Sequence, residues 1–194
     1  MKNKRLQFGF TLMEIVVATA IFAIVISSVL ALFNYVLRIN SKVQAIRQVS
    51  QGTRVFTEIL SREIRNGRIS YSSFGSCNPA ANYSSVNNKQ LALVTYNGDK
   101  LCFYLNPTDE KLYMERISSS GTVTDAINPT GFTINASSFH FVVKPATDPF
   151  VTNQGIQPLV TIMAEFVAKK NGRDQVVVPY QTTISSDVYD LPSL

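Results

Sequence analysis

The sequence predicts an α+β protein: one very long N-terminal helix followed by an antiparallel, β-rich head. Three observations predict it. The stretch Phe10 to Phe33 (FTLMEIVVATAIFAIVISSVLALF) is an apolar block with one ionisable side chain, Glu14. Behind it, apolar residues recur at gaps of mostly three or four as far as Ile64, which is the period of a helix with one apolar face. After Gly67 that period stops, and short β-rich runs separated by Pro, Gly, Ser and Asn clusters take over. The organisation expected is a basic leader over 1–9, a membrane-spanning half-helix over 10–33, an amphipathic half over 34–67 and a globular head over 68–194.

The 194 residues suffice for one domain with a modest core, and 45% apolar with 16% charged residues is the balance of a folded chain. The net charge of +5 raises the question of nucleic acid, and its location answers it. Lys2, Lys4 and Arg5 precede the apolar block, while Arg38, Lys42, Arg47, Arg54, Arg62 and Arg65 follow it, offset only by Glu58 and Glu63. From Arg68 onward nine Lys/Arg face ten Asp/Glu, a net of −1. The basic character belongs to the flanks of the membrane segment, so charge gives the head no claim on nucleic acid.

The apolar block has 24 residues. As a helix it is about 36 Å long, enough to cross a hydrocarbon core of about 30 Å with some tilt. Three basic residues before it favour a cytoplasmic N-terminus with the bulk of the chain outside. A secretory signal is cut after an apolar run of roughly 7–15 residues. This run is too long, and the small residue that could mark a cut, Gly9, comes before it. Cutting there removes the basic leader and leaves the whole apolar helix on the mature protein.

Glu14 needs its own account. A carboxylate at the centre of a membrane helix costs roughly 2.5–3.5 kcal/mol on insertion scales. After a cut at Gly9 it would lie one turn from the new N-terminus, near the interface and the positive end of the helix dipole, which lowers that cost. The new α-amine of Phe10 would be a cation in the same layer. A neighbouring chain offset by about one turn could pair its amine with this carboxylate, relieving two poorly solvated charges together.

The stretch Gly9-Phe10-Thr11-Leu12-Met13-Glu14 with the apolar run behind it resembles the processing site of type IV pilins and type II secretion pseudopilins. The likeness covers about residues 5 to 33. It implies a pilin-like fold, cleavage between Gly9 and Phe10 by a prepilin peptidase, N-methylation of Phe10 and a role for Glu14 in filament assembly. The implied partners are other pilin or pseudopilin subunits and an inner-membrane assembly platform. The implied place is the cytoplasmic membrane, then an extracytoplasmic or cell-surface filament.

Within the family, a minor subunit is the expectation. Removing nine of 194 residues leaves 185, long for a major subunit. Many major pilins carry a kinking proline near the end of the membrane segment, where this chain has Ala31 and Leu32, and its first proline is Pro79. Glu14 argues against the K-type tip pseudopilin, and Tyr180 to Leu191 (YQTTISSDVYDL) is similar to the last strand of larger minor pilins and J-type pseudopilins. W-type and J-type subunits are the nearest comparison.

The amphipathic stripe is formed by Tyr35, Val36, Ile39, Val43, Ile46, Val49, Phe56, Ile59 or Leu60, and Ile64, and Asn66-Gly67 ends it. One helix from Phe10 to Asn66 would be about 86 Å long. Gly52 is the expected weak point in it, at up to about 1 kcal/mol relative to Ala. Ser27 and Ser28, deep in the apolar run, either let another helix approach closely or bond back to their own helix.

In the head, Leu91 to Tyr96, Asn97-Gly98-Asp99-Lys100 and Leu101 to Leu105 read as a β-hairpin with Asn-Gly in the turn. Lys111 to Ile117, Ser138 to Lys144, Leu159 to Val167 and Val176 to Ser185 read as further strands of one meander. Pro179 points to an edge position or a bulge in the last of them. Cys77 and Cys102 both lie outside the membrane, where a disulfide persists. Pairing them would close a loop worth about 3 kcal/mol in the chain-entropy model. The other reading is a buried Cys102 in a strand and an unrelated free Cys77.

No enzyme chemistry is legible. His140, the only histidine, sits in an alternating strand-like run (Ser137-Ser138-Phe139-His140-Phe141) and reads as structural. Two distant cysteines make no zinc pattern, and no phosphate-binding or dinucleotide glycine motif occurs. Asp148, Asp174, Asp187 and Asp190 lack the spacing of a calcium loop. No cofactor or metal is expected. The competing reading is a membrane-anchored adhesin or receptor that never polymerises, and a competence pseudopilin for DNA uptake is a third.

Overall fold

The computed structural model describes residues 9–79, 83–85, 87–128, 131–151, 156–170 and 174–187. The basic part of the leader, Asp190 and the end of the Tyr180–Leu191 segment lie outside the described residues. The chain divides into two units, one up to Val43 and one from Gln44 onward.

Helix α1 spans Leu12–Asn66. It is long and apolar enough to cross a membrane, and its most apolar stretch is wholly exposed. Its hydroxyl groups there are satisfied locally. Ser27 Oγ donates to the Ala23 carbonyl (2.8 Å) and Ser28 Oγ to the Ile24 carbonyl (2.9 Å). Thr19 and Asn34 bond back in the same way. Of the two sequence readings of Ser27 and Ser28, the self-bonded one holds, and it leaves no side-chain polar group of theirs unpaired in an apolar surrounding.

From Gln44 onward α1 buries one face: Ala45, Val49, Gly52, Phe56, Leu60 and Ile64. The spacing agrees with the expected stripe over its second half and differs at its start, where Ala45 is buried and Ile46 is 40% exposed. The buried face also takes in Gly52, which the apolar stripe passes over. At Gly52 a Cβ would stand 2.1 Å from Cε1 of Phe132, so the glycine is a notch that admits an aromatic ring. To the propensity cost expected at Gly52 the structure adds a packing role, since what lies opposite a helical glycine is invisible in the local sequence.

The head has two sheets, not the single meander expected. The first comprises β1 (Gly67–Ile69), β2 (Gln90–Thr95), β3 (Lys100–Asn106), β4 (Lys111–Ser118) and β5 (Gly121–Ala126), antiparallel and in chain order. The second comprises β6 (Thr133–Ile134), β7 (His140–Lys144), β8 (Leu159–Lys170) and β9 (Asp174–Ser185). In it β8 pairs with all three others, and β9 runs the full length of β8. Alternation within a run tells which residues share a face but not which run pairs with which, so the division into sheets was not legible. The Asn97-Gly98 turn is as predicted, with Gly98 at φ 86°, a left-handed conformation that glycine adopts freely. Pro179 sits opposite Glu165 in an unbroken register on a strand whose only described neighbour is β8. It is an edge proline, not a bulge, because a ring nitrogen has no N–H to give to a second neighbour.

Both sheets share one core with α1. Phe56, Leu60 and Ile64 meet Leu91, Leu93, Leu101 and Phe103 of the first sheet and Phe141, Ile162, Phe166 and Ile184 of the second. An aromatic cluster marks the centre. Phe56 lies edge-on to Phe166 (centroids 5.2 Å), Phe132 to Phe166 (5.0 Å), and Tyr180 stands 5.5 Å from Phe166. The Tyr180 hydroxyl is satisfied at 2.7 Å from Thr57 Oγ1 of α1.

The end of α1 is held by the segment after β9. The Asp187 N–H donates to the Arg65 carbonyl (3.2 Å), and Ser186 Oγ donates to the Gly67 carbonyl (2.7 Å). The Arg65 carbonyl, one of those that a helix end leaves orphaned, thus finds a partner from far along the chain, and the Gly67 carbonyl just beyond the helix finds another. Gly67 does more than stop the helix: it begins β1, and a Cβ on it would meet the Glu63 carbonyl oxygen at 2.8 Å.

Candidate functional site

The site is the start of α1. Gly9, Phe10 and Thr11 precede the helix, and Leu12 is its first residue. Thr11 is the N-cap. Its carbonyl accepts from the N–H groups of Glu14 (3.1 Å) and Ile15 (3.3 Å), and its Oγ1 also accepts from the Glu14 N–H (3.3 Å). One of the four N–H groups that every helix start leaves without a partner is thereby met by a side chain. Sequence reasoning missed this role, although the signal was present: Thr11-Leu12-Met13-Glu14 has the Thr-x-x-Glu spacing of a capping box.

Glu14 stands in the first turn, where a carboxylate is favoured by the N-terminal end of the helix dipole by about 0.3–1 kcal/mol. Its surroundings are apolar. Phe10, Ile15, Ala18, Thr19 and Phe22 flank it along one shallow groove, and Met13, Val17 and Ile21 along another. Phe10 itself is 78% exposed. The arrangement places one acid in an otherwise greasy, exposed stripe.

Gly9 has open space around it. No described atom lies within 4 Å of the position a Cβ would take. The fold crowds Gly52 and Gly67; at Gly9 no described atom makes such a demand.

Residues 4–30 match the prokaryotic N-terminal methylation motif. This is a type IV pilin-like prepilin signal, and it supports the pilin and pseudopilin family. The match takes in Gly9, Phe10, Thr11 and Glu14 together with most of the apolar block. No curated protein and no solved structure matches the chain.

The head holds the remaining candidate residues. Cys77 and Cys102 form a disulfide with Cα atoms 5.6 Å apart, so of the two sequence readings the pairing is the one present. Both are buried, beside Ala92, Phe74 and Tyr104. The bond fastens the segment after β1 onto β3. The Ser76 N–H to Glu115 Oε2 (2.8 Å) and the Asn78 N–H to Gln90 Oε1 (2.9 Å) fasten it further. His140 pairs across strands with Met163, its Nε2 3.0 Å from the thioether sulfur, a packing role. Among the described residues no group of three or more His, Cys, Asp or Glu side chains is placed to hold a metal ion.

Three tyrosines show perturbed acidity. Burial, helped by the negative charge of Asp148, pushes Tyr71 up to about 12. Burial raises Tyr83 further, although a backbone hydrogen bond at Ala92 works against it. The hydrogen bond that Tyr113 donates to Asp109 holds its proton in place. All three favour the neutral phenol at physiological pH and act as structural donors.

Proposed function

We propose that this chain is a minor structural subunit of a type IV pilus or related pseudopilus. A prepilin peptidase cuts between Gly9 and Phe10 and methylates the new amine of Phe10. The apolar half of α1 keeps the subunit in the membrane until an inner-membrane assembly platform moves it into the filament. There Glu14 pairs with the Phe10 amine of a neighbouring subunit and helps set the axial register. The β-rich head stays outside the membrane.

The observation that carries this reading is the coincidence, within six residues, of the matched motif, the start of α1 and the lone acid of its apolar stretch. The length of the chain and the absence of a proline before Pro79 support minor status. Intact-mass and N-terminal analysis of the protein from producing cells tests the reading. The expected product begins at Phe10, carries one added methyl group and retains the Cys77–Cys102 bond until reductant is added. A polypeptide that keeps its encoded N-terminus would overturn it.

A further inference from the structure

The Gly9–Phe10 bond is the one that the proposed leader peptidase would cut. Peptide hydrolysis delivers the hydroxyl of water to the Gly9 carbonyl carbon and a proton to the Phe10 nitrogen. That attack needs a backbone lying outside the hydrogen-bonded ladder of a helix. Gly9 and Phe10 meet the requirement: neither is helical, and α1 begins two residues beyond the bond, at Leu12.

The upstream residues do not by themselves halt the helix there. Lys4, Arg5, Leu6 and Gln7 are good helix formers, and Gly9 is the one poor former among residues 4–9 besides the aromatic Phe8. What marks the boundary is Thr11, whose Oγ1 and carbonyl both accept from the Glu14 N–H. An N-cap residue has non-helical backbone while its carbonyl already receives the first helical bond. We infer that Thr11 is a positioning residue for removal of the leader: by capping α1 it keeps Gly9–Phe10 outside the helix for the peptidase.

A second, independent observation points to the same place. Among the described residues no atom occupies the space beside Gly9, and Phe10 is 78% exposed, so the described part of the chain leaves the bond uncovered. The inference rests on the prepilin reading and deepens it. It assigns Thr11 an effect on the rate of maturation, apart from any part it plays in the finished filament.

The test is a pulse-chase of the full-length chain in cells that hold the peptidase, following precursor and mature forms over time. Thr11→Val keeps the branched shape and loses the capping oxygen. Its cleavage is expected to slow by up to about threefold: a typical N-cap loss of about 1 kcal/mol shifts the helix boundary about fivefold, starting from a bond that lies mostly outside the helix. Thr11→Ser and Thr11→Asn keep a capping oxygen and should mature within about twofold of the wild type. Thr11 belongs to no core cluster, and disulfide formation in each variant reports that the head has folded. Wild-type kinetics for Thr11→Val would overturn the inference. So would Thr11→Asn maturing as slowly as Thr11→Val, since the enzyme would then be reading the hydroxyl itself. Gly9→Leu sets the blocked baseline. If the wild type also stays at that baseline, the prepilin reading fails, an outcome distinct from either of the others.

Discussion

Gly52→Ala sets two effects of known sign against each other. Replacing a mid-helix glycine by alanine stabilises α1 by about 0.8–1 kcal/mol from propensity alone. Against that, the new methyl group would begin 2.1 Å from Cε1 and 3.0 Å from Cζ of Phe132. A ring edge can move cheaply when it is free, but this one is 6% exposed and lies edge-on to Phe166 at 5.0 Å. Moving it gives up part of an aromatic pair worth about 0.5–1.5 kcal/mol and strains a packed core, for which overpacking costs about 1–3 kcal/mol. The core term wins. The expected net loss is about 1–2 kcal/mol, or about 2–8 °C in melting temperature for a domain of this size. Thermal unfolding of the mature chain in detergent, followed by near-ultraviolet circular dichroism, measures it. Pairing the change with Phe132→Leu should cost less than the sum of the two single losses, because each relieves the other. A Gly52→Ala protein as stable as the wild type would show that propensity decides and that the notch is incidental.

Phe56→Ala removes a fully buried ring that touches Phe166 and Tyr180, and should destabilise the head by about 3–5 kcal/mol in chemical denaturation. Replacing Cys77 and Cys102 together by Ser opens a closure of 25 residues, for which the chain-entropy model gives about 3.5 kcal/mol. A midpoint unchanged by both the double variant and reductant would contradict it. Glu14→Ala should insert into the membrane as well as the wild type, yet enter filaments more than about tenfold less often, because the neighbour's amine is left unpaired. Quantifying the subunit in sheared filaments against total membrane protein checks this. Tyr71 gives a pH dependence with a definite sign. Its folded pKa lies above that of the unfolded chain, so the unfolded state loses this proton first. Its contribution to stability is complete below pH 10 and falls as the pH rises from about 10 to about 12. Tyrosinate absorbance during alkaline unfolding should show Tyr71→Phe losing less stability across that window than the wild type.

Where the information is local, the residues sufficed. The end of α1 at Asn66, the Asn97-Gly98 hairpin and the positions of β4, β7, β8 and β9 follow from period and turn chemistry, which act over a few residues. The strands not foreseen had no such signal. β1 and β6 have three and two residues, too few to show a period. In β5 (Gly121–Ala126) every residue is exposed, so the apolar alternation that marks a half-buried strand is lacking. The candidate site was legible in its chemistry, through Gly9, Phe10 and Glu14. Its geometry was not, and Thr11 went unread as a cap because a hydroxyl's bond to a backbone N–H depends on where the helix begins.

The α+β class, a membrane-length apolar helix, the processing motif and the one acid that breaks the apolar run all come from composition and short-range order. Those are properties of neighbouring residues and survive without a fold. The tertiary structure decided which runs share a sheet, that Cys77 reaches Cys102, and that Gly52 is a socket for Phe132. It also decided that Ser186 and Asp187 close the end of a helix more than a hundred residues upstream. Each of these joins residues far apart in the chain, and what selects such contacts is the best burial of the whole apolar set against one helix face.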